Sequence, residues 1–309
     1  MSLVRQAKTR QTVGDPLSDA KVHAFAPLGQ TGTVAAAAED SRILWITPDG
    51  TVSVREYEIP DAEDFPVELF ALAALPDGGL LGAGIDAVRR LEPDGDALRV
   101  RCAWDLQSRT VTANGVSVAA DPSGRMKAAA ARERLHLLRD DGTAQTVREE
   151  KPYFWGLAAS PDGRRLAVGR SDGSVELRSA ADLAVEKILP GLSALVLAAA
   201  FSPDGAFLAA ADDKAKLAVW NLETGETFEV PGWTKIIGLS WFSDSSGFAA
   251  AGLSRAVFLF DRDEFREPPF RLGLDQFSPH YIQRAALAGD RTLLLCVEGN
   301  GIIPVRLGG

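Results

Sequence analysis

The chain carries three histidines, His23, His136 and His280, and two cysteines, Cys102 and Cys296, in 309 residues. Chemistry that needs an imidazole or a thiol has only these five side chains to draw on. His23 and His280, with Asp19 or Asp275 beside them, are the candidates for a metal centre, since imidazole nitrogens and carboxylate oxygens ligate zinc-like ions. Their spacing matches no recognised ligand motif, and a metal asks for three or four ligands at fixed geometry, so no metal is expected. His136, inside LHLL, reads as a half-exposed strand residue. The cysteines form no C-x-x-C pair and read as small, unbridged apolar residues. No G-x-S-x-G, H-E-x-x-H, P-loop or dinucleotide fingerprint occurs, so neither catalytic residues nor a cofactor are expected.

Interface chemistry is better supplied. Aromatics gather in segments 59–68, 104–114, 148–155, 231–235 and 267–281, which read as loops. Phe65, Trp104, Tyr153, Phe154, Trp233, Phe277 and Tyr281, with Arg109 and Arg170, are the expected partner-binding residues, because aromatics and arginine dominate interface hot spots. Residues 56–68 hold six acids and no base, while segments 131–134, 169–172 and 253–256 contribute arginines, a pattern suited to a partner of mixed charge. With 42 acidic against 33 basic side chains, the net charge of -9 repels a phosphate backbone or an anionic bilayer. The expected partner is therefore a protein or peptide, neither nucleic acid nor membrane, met by a monomer or by one component of a hetero-complex. No signal-like or membrane-spanning apolar run is visible, which points to a cytoplasmic protein.

The elements that must position these residues follow from turn chemistry. Pro-Asp-Gly-like turns recur with glycines at 78, 124, 163, 205, 247 and 289, and a second turn class falls at 47–50, 92–95, 141–142 and 223–225. The period is that of a propeller blade, about 40 to 45 residues. Between turns lie short runs such as ILWIT at 43–47 and AVFLF at 256–260, of strand length and too short for stable helices. Alanine runs at 35–38, 128–131, 209–211 and 249–251 favour helix by propensity, yet each follows a hairpin turn at the same point of the repeat, where a strand is expected. The expected fold is all-β: a seven-bladed β-propeller of four-stranded antiparallel blades at about 20–58, 66–104, 114–150, 153–189, 194–230, 235–272 and 280–307, forming a single domain over 1–309. The last blade has three strands of its own. The segment Leu3 to Val13 is expected to supply the fourth and close the ring.

In the fifth unit, FSPDG at 201–205 and LAVWN at 217–221 resemble the hairpin turn and the Trp-Asp terminus of the WD40 repeat family. Trp220-Asn221 stands at the signature pair, and Phe260-Asp261 is its nearest equivalent in the sixth unit. Gly191-Leu192 and Gly232-Trp233 match the family's Gly-His dipeptide by spacing, keeping the glycine and replacing the histidine. The resemblance implies a non-catalytic scaffold for protein–protein interaction on the loop face. Two alternatives stand beside it: a metal-dependent propeller hydrolase or lactonase with its site at the channel mouth, and a small-ligand sensor using the channel.

Overall fold

The computed structural model describes residues 11–39, 41–58, 68–106, 115–231, 234–254, 256–273, 281–289, 291–298 and 301–308. Among them the chain forms 28 strands, grouped in antiparallel fours. The first four are β2 (Val22–Leu28), β3 (Thr33–Ala38), β4 (Arg42–Ile46) and β5 (Val52–Glu58), preceded by β1 (Gln11–Val13). The second unit holds β6 (Ala71–Ala74), β7 (Leu80–Ala83), β8 (Ala87–Asp94) and β9 (Ala97–Asp105), and the third β10 (Val116–Ala120), β11 (Lys127–Ala131), β12 (Arg134–Leu138) and β13 (Ala144–Arg148). The fourth comprises β14 (Phe154–Ala159), β15 (Arg165–Arg170), β16 (Val175–Ser179) and β17 (Val185–Leu189). The fifth comprises β18 (Val196–Phe201), β19 (Phe207–Asp212), β20 (Lys216–Asn221) and β21 (Thr227–Pro231). Then come β22 (Ile236–Trp241), β23 (Gly247–Gly252), β24 (Ala256–Asp261) and β25 (Phe270–Gly273), and finally β26 (Ile282–Ala288), β27 (Thr292–Val297) and β28 (Gly301–Leu307).

Side-chain oxygens build the turns. In the fourth unit Ser160 Oγ donates to Asp162 and accepts from the Arg165 amide, while Asp162 accepts from the Arg164 amide. Ser202 and Asp204 repeat this arrangement in the fifth. The reversal needs one left-handed residue, supplied by Gly163 (φ +69°) and Gly205 (φ +72°). In the sixth unit that residue is Ser245 (φ +58°), and the Gly247 expected there instead opens β23. The position after Trp220 asks only for an acceptor: Asn221 Oδ1 takes the Glu223 and Thr224 amides, as Asp261 takes that of Asp263 and Ser179 that of Ala181. Asn, Asp and Ser therefore interchange without altering the turn.

All four alanine runs lie in second strands, and Ala35, Ala129, Ala210 and Ala250 are fully buried. Both faces of these strands are covered, so burial against neighbouring sheets overrides helix propensity. Among the described residues seven apolar clusters make up the core, each spanning two successive units. Val34 and Leu44 of the first unit, for instance, pack with Ala286, Leu294 and Ile302 of the last. The first strands β2, β6, β10, β14, β18, β22 and β26 pack each against the next, and β26 packs against β2. The whole is an all-β array consistent with a propeller.

Two features depart from a plain repeat. The first two units join edge to edge into one eight-stranded sheet, because β5 and β9 pair in parallel at Tyr57–Leu98 and Glu58–Arg99. β1 pairs antiparallel with β28, Gln11 opposite Leu307 and Val13 opposite Val305, so the last sheet runs β1-β28-β27-β26. Residues 3–10 of the expected closing strand lie outside the described residues. Cys102 and Cys296 are free thiols, and among the described residues no helix is long and apolar enough to cross a membrane.

Close approach between units fixes particular residues. Gly173, left-handed at φ +95° in the turn between β15 and β16, lies so near the next unit that a Cβ there would meet the Ala194 nitrogen at 2.6 Å. Gly173→Ala is expected to cost about 2 kcal/mol, combining left-handed strain with overpacking. Urea unfolding of the variant should show the midpoint fall with an unchanged slope; an unchanged midpoint would refute the contact.

Candidate interaction face and axial cavity

Antiparallel order sends the loops to two ends. Turns between first and second strands share one end with those between third and fourth strands, and the remaining loops share the other. At the first end, successive turns are packed together. A Cβ on Gly124 would meet Pro76 at 2.7 Å, one on Gly163 would meet Asp121 at 2.9 Å, and one on Gly32 would meet Gly289 at 2.9 Å, while the Asp204 amide donates to Ser245 Oγ at 3.1 Å. The turns between third and fourth strands at that end stand apart, a Cβ on Gly95, Gly142 or Gly225 meeting nothing within 4 Å.

At the other end the expected binding residues divide. Phe65, Arg109, Trp233, Phe277 and His280 lie outside the described residues. Tyr153 is half-buried, with the Arg132 guanidinium 4.6 Å over its ring, and Tyr281 is 47% exposed. Three others are corrected by burial. Trp104, 4% exposed, donates from Nε1 to the Thr143 carbonyl at 3.1 Å and so ties β9 to the next unit's turn. Phe154 is fully buried and Arg170 is 1% exposed. Neither presents a surface to a partner.

Arg170 instead belongs to an ionic core between the third and fourth units. It bonds to Glu149, lies 3.7 Å from Glu176, and stacks its guanidinium 4.0 Å over the Phe154 ring. Arg178 completes the cluster, reaching Glu176 at 2.6 Å, Glu149 at 2.8 Å and the Leu183 carbonyl at 3.1 Å. Two guanidinium groups facing two carboxylates make the cluster neutral, and the aromatic face adds an electrostatic partner. Burial pushes the Glu149 carboxyl up, but the bonds from Arg178 and Arg170 outweigh it and hold the group below its usual range.

Sequence reasoning passed over Ile85 and Leu253, exposed by 53% and 49%. Both sit at tips between second and third strands, where a polar turn residue is the norm; an apolar residue at such a tip, as in Gly84-Ile85-Asp86 and Gly252-Leu253-Ser254, was the available signal. Beside them the first strands line a cavity of about 600 Å³ whose walls include His23, Phe25, Phe70, Trp155, Lys235 and Arg284. His23 Nε2 lies 3.6 Å from Glu68, and burial holds the imidazole below its usual pKa. Among the described residues no three His, Cys, Asp or Glu side chains converge on a metal position. His136 is also corrected: it is 4% exposed rather than half-exposed, its Nδ1 2.9 Å from Thr146 Oγ1.

Residues 141–178 and 185–221 match the family described as WD domain, G-beta repeat. Each matched stretch takes the last strand of one sheet and the first three of the next, β13 with β14–β16 and β17 with β18–β20, so the sequence repeat straddles the structural unit. The chain is 30% identical over 114 residues to the 66 kDa stress protein of Physarum polycephalum, covering 35% of this chain and 19% of that protein. It is 28% identical over 192 residues to Protein HIR1 of Kluyveromyces lactis, covering 48% and 22%. It is 30% identical over 144 residues to WD repeat-containing protein 1 of Bos taurus, covering 45% and 23%. The chain thus spans less than a quarter of the length of each of these relatives. The chain carries WD40 repeats at residues 141–178 and 185–221 and is distantly homologous to WD repeat-containing protein 1 and Protein HIR1.

Proposed function

We propose that the chain is a seven-bladed propeller, closed by β1, that acts as a non-catalytic scaffold and docks a protein or peptide on the end carrying Ile85, Leu253 and Tyr281. The pairing of β1 with β28 and the packing of β26 on β2 support the closed ring. The observation carrying the docking face is that these three exposed side chains share one set of strand ends, while at the opposite end several turns between first and second strands contact one another. Apolar groups left in water on a rigid rim gain most from being covered.

The triple variant Ile85→Asp, Leu253→Asp, Tyr281→Ala should reduce co-purification of the partner from native lysate by at least about tenfold, the scale of losing one hot spot. Its circular dichroism should remain that of the parent. The competing surface is the outer strands, where Val54 is 49% and Ile188 61% exposed. If Val54→Asp with Ile188→Asp abolishes capture and the triple variant does not, docking occurs on the sheet edges instead.

A further inference from the structure

We infer that the axial cavity binds a small organic anion with an apolar or aromatic body. The chain as a whole is strongly acidic, yet no described residue lining this cavity is an aspartate or glutamate, whereas Lys235, Arg284 and His23 all line it. The cations are gathered rather than scattered. Lys235 immediately precedes β22, Arg284 is the third residue of β26 and His23 the second of β2, so all three stand at the strand ends that carry Ile85, Leu253 and Tyr281. Phe70, immediately before β6, and Trp155, second in β14, stand at the same level, with Phe25 in β2 behind them. An apolar wall beside a cationic rim is the lining expected for a ligand with an apolar body and one negative group. The volume of about 600 Å³ is of small-molecule size.

The polar groups are placed to act on such a ligand. Arg284 Nε donates to the His23 carbonyl at 3.0 Å, which orients the guanidinium on the wall. Among the described residues His23 Nε2 is buried without a hydrogen-bond partner, and Glu68 lies 3.6 Å away, beyond hydrogen-bond reach. Burial disfavours the charged form of Arg284 and lowers its pKa, and an anion brought into the cavity favours that form. Lys21 also lines the cavity, with Glu39 on its ammonium at 2.7 Å, while Lys235 stands exposed at the mouth.

Calorimetry and tryptophan fluorescence with naphthalene-2-sulfonate, its neutral analogue 2-naphthalenemethanol and inorganic sulfate test this reading. Naphthalene-2-sulfonate should saturate one site and change the tryptophan emission, with the neutral analogue and inorganic sulfate each binding at least about tenfold more weakly, the value of one charge-assisted bond or of the buried ring. Arg284→Gln should weaken sulfonate binding by a similar factor and leave the neutral compound unchanged. Lys235→Gln, at an exposed position, should do the same in a protein whose fold is not in question. The inference fails if naphthalene-2-sulfonate shows no saturable binding, if either comparison compound binds as tightly, or if Lys235→Gln leaves the sulfonate affinity unaltered.

Discussion

Deletion of residues 1–13 is expected to lower the melting temperature by about 10 °C and to make the protein self-associate. The deleted strand pairs Gln11, Thr12 and Val13 with Leu307, Arg306 and Val305, and Val13 packs onto the apolar cluster between the sixth and seventh units. Three residues of ladder and one valine amount to about 4–5 kcal/mol, at about 1 kcal/mol per hydrogen bond and 1.5–2 for the side chain. At about 2 °C per kcal/mol for a chain of this size, that gives the stated shift. The deletion also leaves β28 as an open edge, which pairs readily with another copy. Differential scanning calorimetry with size-exclusion chromatography at several concentrations reads both effects. An unchanged melting curve would mean that β1 does not hold the last sheet, and the proposed ring closure would fall with it.

The second large effect concerns the ionic core. Glu149→Gln leaves Arg170 and Arg178 buried with Glu176 as their one remaining carboxylate in the cluster, and is expected to destabilise the protein by about 3 kcal/mol. This is the low end for breaking a buried ion pair, because the Glu149 side chain is 35% exposed and solvent screens part of the interaction. The pH dependence gives the sign. The folded-state pKa of Glu149 is depressed below its ordinary value of 4.5, so its stabilisation is full above about pH 5 and is lost as the pH falls through the folded value. Urea midpoints of the parent and Glu149→Gln should therefore differ most near neutrality and converge as the pH falls below the folded-state pKa. A gap that stays constant with pH would show that the carboxylate contributes shape rather than charge. Replacing the whole cluster by apolar residues of similar volume should cost far less than this single change, since no charge is then left unpaired.

Local chemistry was legible in the residues. A serine–carboxylate hydrogen bond two residues apart and a left-handed residue specify the hairpin turn, with the serine second at Asp121 and first at Ser160 and Ser202. The one slip in register, Gly247 for Ser245, arose because glycine is the usual left-handed residue and this turn uses serine, whose hydroxyl accepts the Asp204 amide. The need for a strand before the first unit was also readable, since three hairpin-linked strands leave an edge unpaired. The edge-to-edge pairing of β5 with β9 had no such signal, because two residues of parallel ladder leave no mark on composition.

What the sequence determined by itself was therefore the set of strands, their turns and their order, all fixed by interactions within a few residues. What the tertiary structure decided was which side chains face water. Sheets covered on both faces lose the alternation of apolar and polar residues that marks an exposed strand, so Phe154 and Trp104 could not be told from surface aromatics. Arg170 reads as a loop cation until Glu149, 21 residues earlier, and Arg178, across the sheet, are brought around it. The cavity likewise exists only where first strands from separate units converge, setting Lys235, Arg284 and His23 at one mouth although more than two hundred residues separate the first from the last.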